Sequence, residues 1–343
     1  MKNSTPLVSV IMSCYNVEKC ISEALTSILG QTYKNVEIII SDDGSNDTTR
    51  TIIDSISDIR IKRFHNEHNL GLLETWNKLL AQTQGEYITF QDGDDISLPE
   101  RIERLVLFLE SNPEIGLCGT NFIRYFDAWN LFQKSNYPLT DYEIREELKK
   151  EMVPFNGTRV MVRRTVYEKI GGFREFFKGL AAEDFDWILR IADHYKVSNI
   201  PDVLYEYRYF NRSQSKNSLE SEPKRIFVTK IIFFLSKQRA LYGADALEMN
   251  NVEQIEEFLA PYCEQLNRDK TNYFRFKKVF NNALSNKDYA SAWSLLKQRL
   301  HSYPLKRTNL VNGYQFASGF SRTFVKAALN RLFGIGKFAS SKF

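Results

Sequence analysis

The stretch from Gly85 to Pro99, GEYITFQDGDDISLP, concentrates groups that do chemistry: Asp92, Asp94 and Asp95 follow directly on a short apolar run. Tyr87 to Phe90 is β-branched and aromatic and reads as a buried strand. Two carboxylates one residue apart in an extended turn can face a single hard divalent cation. In open α/β sheets, ligands bind beyond the carboxyl ends of the strands, which is where these carboxylates fall. An isolated Asp-x-Asp describes a solvated acidic turn that starts a helix at Pro99 equally well. A calcium loop of the EF-hand type is excluded, because Ile96 stands where an oxygen ligand is needed and Ser97 where glycine is needed. The neighbouring motifs must decide.

Two further acidic stretches matter. SDDGSND places Asp42 and Asp43 after an apolar run, which alone describes a turn and a helix cap. AEDFDWILRIA puts Glu183, Asp184 and Asp186 in the first turn of a helix that buries Ile188, Leu189 and Ile191. Carboxylates are favoured there by the helix dipole, so capping would explain them without catalysis.

The elements that must hold these groups alternate. Leu7 to Cys14 reads as a strand buried on both faces, and Ile21, Ala24, Leu25 and Ile28 recur at helical spacing before Gly30. Val36 to Ser41 is the second strand, and Asn46 or Asp47 caps a helix through Ile52, Ile53 and Ile56. Ile59, Ile61 and Phe64 alternate as a third strand; a helix with Leu72, Leu73, Trp76, Leu79 and Leu80 leads to the strand at Tyr87. This βαβαβαβ order predicts a doubly wound, mainly parallel sheet whose strand ends bring Ser13, Asp43 and Asp92 together. No glycine fingerprint follows the first strand, so a nicotinamide dinucleotide is not the expected ligand.

Composition narrows the class. With 343 residues, 43% of them hydrophobic, the chain can build one full α/β domain and an appended element. The net charge of +4 is dispersed, without the continuous basic stripe that nucleic acid requires. Cys14, Cys20, Cys118 and Cys263 show no CxxC pairing, and reduced buried thiols in a reducing compartment are the expectation. The opening residues lack an apolar segment of signal-peptide or membrane-spanning length, so the sequons at Asn3, Asn46, Asn156 and Asn211 are expected to stay unmodified.

VSVIMSCYN, SDDGSND, NLGLLETWNKLLAQTQGEYITFQDGDDISLPERIERL, GGF and AEDFDWILRI, in this order between about Pro6 and Ser215, resemble the family 2 glycosyltransferases. The run ISLPERIERLVLFLESNPEIGLCGT is similar to a subgroup that builds bacterial surface polysaccharides. The resemblance implies a GT-A nucleotide-sugar-binding fold over residues 1–217. It also implies an inverting transfer from a UDP-sugar, with a dTDP-sugar as second choice, to a saccharide acceptor carried on a lipid. By the same resemblance Ser13, Tyr15 and Asn77 belong to the nucleotide site, and Asp43 accepts a hydrogen bond from the base N3–H. Asp92 and Asp94 hold Mg²⁺ or Mn²⁺ against the diphosphate, Asp184 is the general base, and Glu183 orients acceptor or base.

One departure stands out. Related enzymes often carry a histidine in a Y-R-x-H context that completes the metal site, whereas this chain reads Tyr207-Arg208-Tyr209-Phe210. Phenylalanine cannot ligate, which leaves Arg208 and Arg212 as candidates for the diphosphate. A nucleotidyltransferase is disfavoured, since Ser13-Cys14-Tyr15-Asn16 replaces the phosphate-gripping loop it would need. A non-catalytic sugar-nucleotide-binding or scaffold subunit is the rival from another class, with Phe210 in its favour and Asp94 and Asp184 against it.

Residues 218–343 read as a helical extension, with Pro223, Pro261 and Pro304 as punctuation. Its last segment, 320–343, sets Phe324, Leu329, Leu332, Phe333, Ile335 and Phe338 beside Arg322, Lys326, Arg331, Lys337 and Lys342 with no acidic residue. A basic amphipathic helix of this kind suits a membrane interface, placing the protein in the cytoplasm at the inner membrane face; packing on the domain or a frayed tail are the other readings.

Overall fold

The computed structural model describes residues 5–126, 131–155, 157–209, 222–267, 276–281, 292 and 294–296. The chain divides into two compact units, Met1–Ser213 with Val228–Val252, and Gln214–Phe227 with Glu253–Phe343. The composition boundary at 217/218 and this division by packing differ over Val228–Val252, which are helical in character yet lie within the first unit.

The first unit opens with β1 (Val8–Cys14), α1 (Ile21–Leu29), β2 (Val36–Asp42), α2 (Thr49–Ser55), β3 (Ile61–His65), α3 (Leu72–Leu80) and β4 (Tyr87–Asp92). These four strands are parallel, in the order β3-β2-β1-β4. Every residue of β2 is buried and β1 is nearly so, as a central parallel strand covered on both faces must be. The apolar faces of α1 and α4 (Arg101–Ser111) close one side, where Ile21, Leu25, Ile28, Ile102, Leu105 and Leu109 pack on Val8, Val10, Ile38 and Ile40.

Beyond β4 the sheet changes direction. β5 (Ile96–Ser97), β6 (Ile115–Phe126), β7 (Leu131–Lys134), β8 (Val160–Arg163) and β9 (Lys196–Tyr209) extend it in the order β4-β8-β6-β9-β5, with β7 beside β6. β8 runs antiparallel to both β4 and β6, while β6 and β9 are parallel. α5 (Asp141–Lys149), α6 (Arg164–Ile170) and α7 (Glu183–His194) connect these strands, and α9 (Val228–Tyr242) packs on α7. In the second unit α8 (Pro223–Ile226) and α10 (Glu253–Asn267) are described.

Two expectations fail locally. Ile59 is 102% exposed and belongs to the turn before β3, so the alternation that included it ran one pair too early. Pro261 lies inside α10 rather than ending a helix. No described helix is long and apolar enough to cross a membrane; residues 297–343, and with them the basic amphipathic segment, lie outside the described residues.

Candidate active site

The ladders bring the strand ends together. Ser13 pairs in register with Ser41 on one side and Asp92 on the other, and Cys14 pairs with Asp42. The Asp43 N–H donates to the Cys14 carbonyl at 2.8 Å, which ties the ends of β1 and β2 just where the chain leaves the sheet. Asp43 is buried, and its carboxylate accepts from Asn66 Nδ2 at 2.8 Å and from the Leu70 and Gly71 N–H groups at 3.0 Å. It therefore organises the 66–71 loop as well as facing the strand ends. Gly44 makes this possible: its φ is +71°, and a β-carbon there would lie 2.5 Å from the His68 carbonyl carbon. Asn16, at φ 51°, donates its N–H to Ser45 Oγ and accepts from the Asn46 N–H, both at 2.9 Å. The loop bearing the half-buried Tyr15 is thereby fastened to the loop after Asp43.

The acidic turn is held at both ends. β4 pairs with β1 before it, and β5 pairs Ile96 and Ser97 with Glu206 and Tyr205 of β9 after it. Across the turn the Asp92 N–H donates to Tyr205 Oη at 3.2 Å. Asp95 is not available to a ligand: it is fully buried, pairs with Arg159 at 3.0 Å and accepts the Arg208 N–H at 2.9 Å. Asp92 and Asp94 remain partly exposed. Burial, and then the neighbouring Asp92, push the Asp94 carboxyl up to about 6. A divalent cation would relieve that repulsion, so two hard oxygen donors in this state fit Mg²⁺ or Mn²⁺ completed by substrate oxygens. Among the described residues no group of three His, Cys, Asp or Glu side chains is arranged to hold a metal alone.

Glu183 and Asp184 open α7, where the sequence put them. Burial, and then Asp184, push the Glu183 carboxyl up to about 7. Burial also raises Asp184, opposed by the Phe185 N–H that its Oδ1 accepts at 2.7 Å and by the Arg159 charge, and reinforced by Asp92. The helix start and the acidic turn thus share one electrostatic environment although about ninety residues separate them in the chain. Asp186 faces the other way: it is fully buried against Arg174 and Arg190.

Other expected residues fall differently. The Asn77 amide accepts the Phe173 N–H at 2.9 Å and donates to its carbonyl at 2.8 Å. Both ends of that side chain hold the Gly171-Gly172-Phe173 turn. Arg208 lies beside the acidic turn, with Nε donating to the Asp94 carbonyl at 2.6 Å and Nη1 paired with Glu23. Arg212 and Phe210 lie outside the described residues. Trp187 is core: its Nε1 donates to the Gly171 carbonyl at 2.8 Å and its ring packs against Phe90 and Phe173.

Three site residues escaped sequence reading. Arg159, buried, stands 3.9 Å from Asp92 as well as 3.0 Å from Asp95, and its guanidinium lies over the Tyr205 and Tyr207 rings at 4.8 and 4.6 Å. Tyr205 sits between that guanidinium and the one of Arg101, 5.0 Å from its ring. Gly157, two residues before Arg159, abuts Asp184. The only signal in the sequence was an Asn-Gly pair before a short strand, which reads as an ordinary turn.

Comparisons with known proteins give the family and the fold. Residues 9–171 match the family described as Glycosyl transferase family 2. The chain is 34% identical over 210 residues to the protein named "Putative glycosyltransferase EpsE" of Bacillus subtilis (strain 168), covering 60% of this chain and 74% of that one. Over 106 residues it is 40% identical to the UDP-Glc:alpha-D-GlcNAc-diphosphoundecaprenol beta-1,3-glucosyltransferase WfgD of Escherichia coli, covering 31% of this chain and 42% of that one. Among solved structures, S. aureus TarS 1-349 in complex with UDP-GlcNAc superposes with a TM-score of 0.58 at 18% identity, covering 95% of this chain and 88% of that chain. The mannosyltransferase PcManGT from Pyrobaculum calidifontis, in complex with GDP-Man and Mn²⁺, gives 0.53 at 18% identity, covering 97% and 89%.

Proposed function

Because this chain belongs to glycosyl transferase family 2 and folds as a GT-A glycosyltransferase, we propose that it transfers a sugar from a UDP-sugar to a saccharide acceptor with inversion at the anomeric carbon. The observation that carries this reading is that two carboxylate pairs from distant parts of the chain lie about one short turn: Asp92 with Asp94 at the end of β4, through Arg159 3.9 Å from Asp92, and Glu183 with Asp184 at the start of α7, through Gly157 against Asp184. One set suits the diphosphate end of a donor and the other a proton on an acceptor hydroxyl.

Asp184 takes the acceptor proton as the hydroxyl attacks the face of the sugar opposite the leaving group. One base suffices for that geometry, since no glycosyl-enzyme intermediate forms. Its raised carboxyl is a better proton acceptor than an ordinary aspartate once ionised, and Glu183 orients the acceptor beside it. Asp92 and Asp94 would hold a divalent cation, which when bound would stabilise the charge developing on the departing diphosphate. Asp43, with Ser13 and Tyr15, receives the base of the nucleotide, and Arg208 flanks the acidic turn on the diphosphate side.

The acceptor we propose is a saccharide on a lipid diphosphate at the cytoplasmic membrane face, in surface-polysaccharide assembly. The similarity to WfgD, whose name specifies such an acceptor, supports this part. The reading is tested with Asp184→Asn. UDP-sugar affinity should hold within about twofold while turnover falls by roughly 100-fold or more. Wild-type turnover in that variant would remove Asp184 from the mechanism. A wild-type protein that binds UDP-sugars but releases no UDP, with or without Mn²⁺, would favour the non-catalytic binding subunit instead.

A further inference from the structure

A β-carbon built on Gly157 would stand 1.6 Å from Asp184 Oδ2 and 2.5 Å from Asp184 Cβ, distances that no side chain tolerates. Gly157 opens a single turn of 3-10 helix, Gly157–Arg159, that packs on α7, β4 and β6. Arg159 closes that turn with its guanidinium against Asp95 at 3.0 Å and Asp92 at 3.9 Å. Gly157 and Arg159, two residues apart, therefore touch both halves of the site.

We propose that the Gly157–Arg159 turn is a positioning element for the transfer step. Gly157 leaves the space in which the Asp184 carboxylate rests, and Arg159 locks the same turn to the acidic turn after β4, so that base and diphosphate site keep a fixed separation. The proposal rests on the reading of Asp184 as the base.

Its logic is steric first. With hydrogen at residue 157, the Asp184 carboxylate lies directly on the backbone of the turn. With a methyl there, α7 must withdraw or Asp184 must turn to another rotamer, and a base displaced by about 1 Å loses most of its advantage. The electrostatics agree, since the Arg159 cation favours the ionised form of Asp184 against the penalty of burial. Donor binding makes no direct demand on Gly157, because the groups assigned to the nucleotide lie at the ends of β1, β2, β4 and β9.

A double-mutant cycle tests this on the full-length protein. The probe is UDP release, with water as acceptor, from whichever of UDP-glucose, UDP-galactose and UDP-N-acetylglucosamine the wild type turns over fastest in Mn²⁺. Gly157→Ala should lower kcat by about tenfold or more with the donor KM within about twofold. In an Asp184→Asn background the same change should cost less than about twofold, because the group it displaces is already inert. If Asp184→Asn is slow but Gly157→Ala is harmless, or costs as much in both backgrounds, the positioning role is wrong and the base survives. If Asp184→Asn turns over like wild type, the base reading fails and this inference with it.

A second measurement needs no turnover and guards against a Gly157→Ala protein that does not fold. Asp95→Asn with Arg159→Gln replaces the buried ion pair by a neutral pair of similar shape. In protein labelled with ¹³C at aspartate carboxyls, the Asp184 signal is identified by its loss in Asp184→Asn. It should titrate at higher pH in the neutral-pair variant than in wild type; an unchanged midpoint overturns the role given to Arg159.

Discussion

Arg174 Nη1 donates to both carboxylate oxygens of Asp245, at 2.9 and 2.7 Å, and Asp245 is fully buried. The same guanidinium pairs with Asp186 on α7, and Arg239 of α9 joins Asp245 to Asp193. The helix that carries the proposed base is thus clamped to residues 228–252 by a chain of charges centred on the buried Asp186, Arg239 and Asp245. Removing Asp245 leaves the Arg174 and Arg239 guanidiniums desolvated, each with a single carboxylate, Asp186 and Asp193, to offset its charge. Asp245→Ala should cost about 3 kcal/mol of unfolding free energy, read from the urea midpoint. A change under about 0.5 kcal/mol would show the network to be slack.

The pH dependence follows from Glu183. Its carboxyl is raised from 4.5 to about 7 by burial and by Asp184, so the folded state prefers the proton more than the unfolded chain does. The stabilisation is fully present below pH about 4.5 and is lost as pH rises through about 7. The melting temperature of the metal-free protein should therefore fall between pH 5 and pH 8, and Glu183→Gln should flatten that fall. A profile identical to wild type in Glu183→Gln would mean that the glutamate carries no strain.

Metal and nucleotide should bind as a unit. Asp92 and Asp94 offer few ligands of their own, so Mn²⁺ should bind the free protein weakly by calorimetry and clearly once UDP is present. Coupling is reciprocal, so Mn²⁺ must tighten UDP by the same factor, and Asp94→Ala should abolish the effect in both directions. Equal UDP affinity in EDTA and in Mn²⁺ would transfer the task to Arg208.

Asp43 should do two separable things. Asp43→Asn turns an N–H donor toward the Asn66, Leu70 and Gly71 donors, so hydrogen exchange at the Leu70 and Gly71 amides should accelerate. UDP affinity should fall by about tenfold, roughly one charge-assisted hydrogen bond. Faster exchange with unchanged UDP affinity would reduce Asp43 to an organiser of the loop.

The parallel half of the sheet was legible because β1, β2 and β4 are covered on both faces, so their apolar runs allow no other reading. Carboxylates at strand and helix ends were legible as a type, and the motif order named the family. Partners were not. Nothing near Asp95 announces that Arg159, far along the chain, neutralises it, and nothing in the local pattern of Asn77 announces that its amide closes on Phe173. Gly157 is invisible for a deeper reason: its requirement is a volume set by α7, and short-range sequence carries no record of what arrives from a distance. Ile59 failed because a turn residue beside an edge strand can mimic alternation by chance.

The β6–β9 ladder is broken so that Thr120 faces Ile200 while Asn121 faces Val203, and the extra residues bulge out of β9 ahead of Tyr205 and Arg208. Side chains alternate along a strand, so the length of that bulge decides which face each later residue of β9 presents. Tyr205 and Arg208 serve the acidic turn only in the present phase. Losing one bulge residue would send Tyr205 to the opposite face and hand its place under Asp92 to Glu206, a carboxylate among carboxylates. The bulge is therefore a length gauge: indels within it should inactivate the protein as surely as a change at Asp94, although none of its residues is assigned to donor, metal or acceptor.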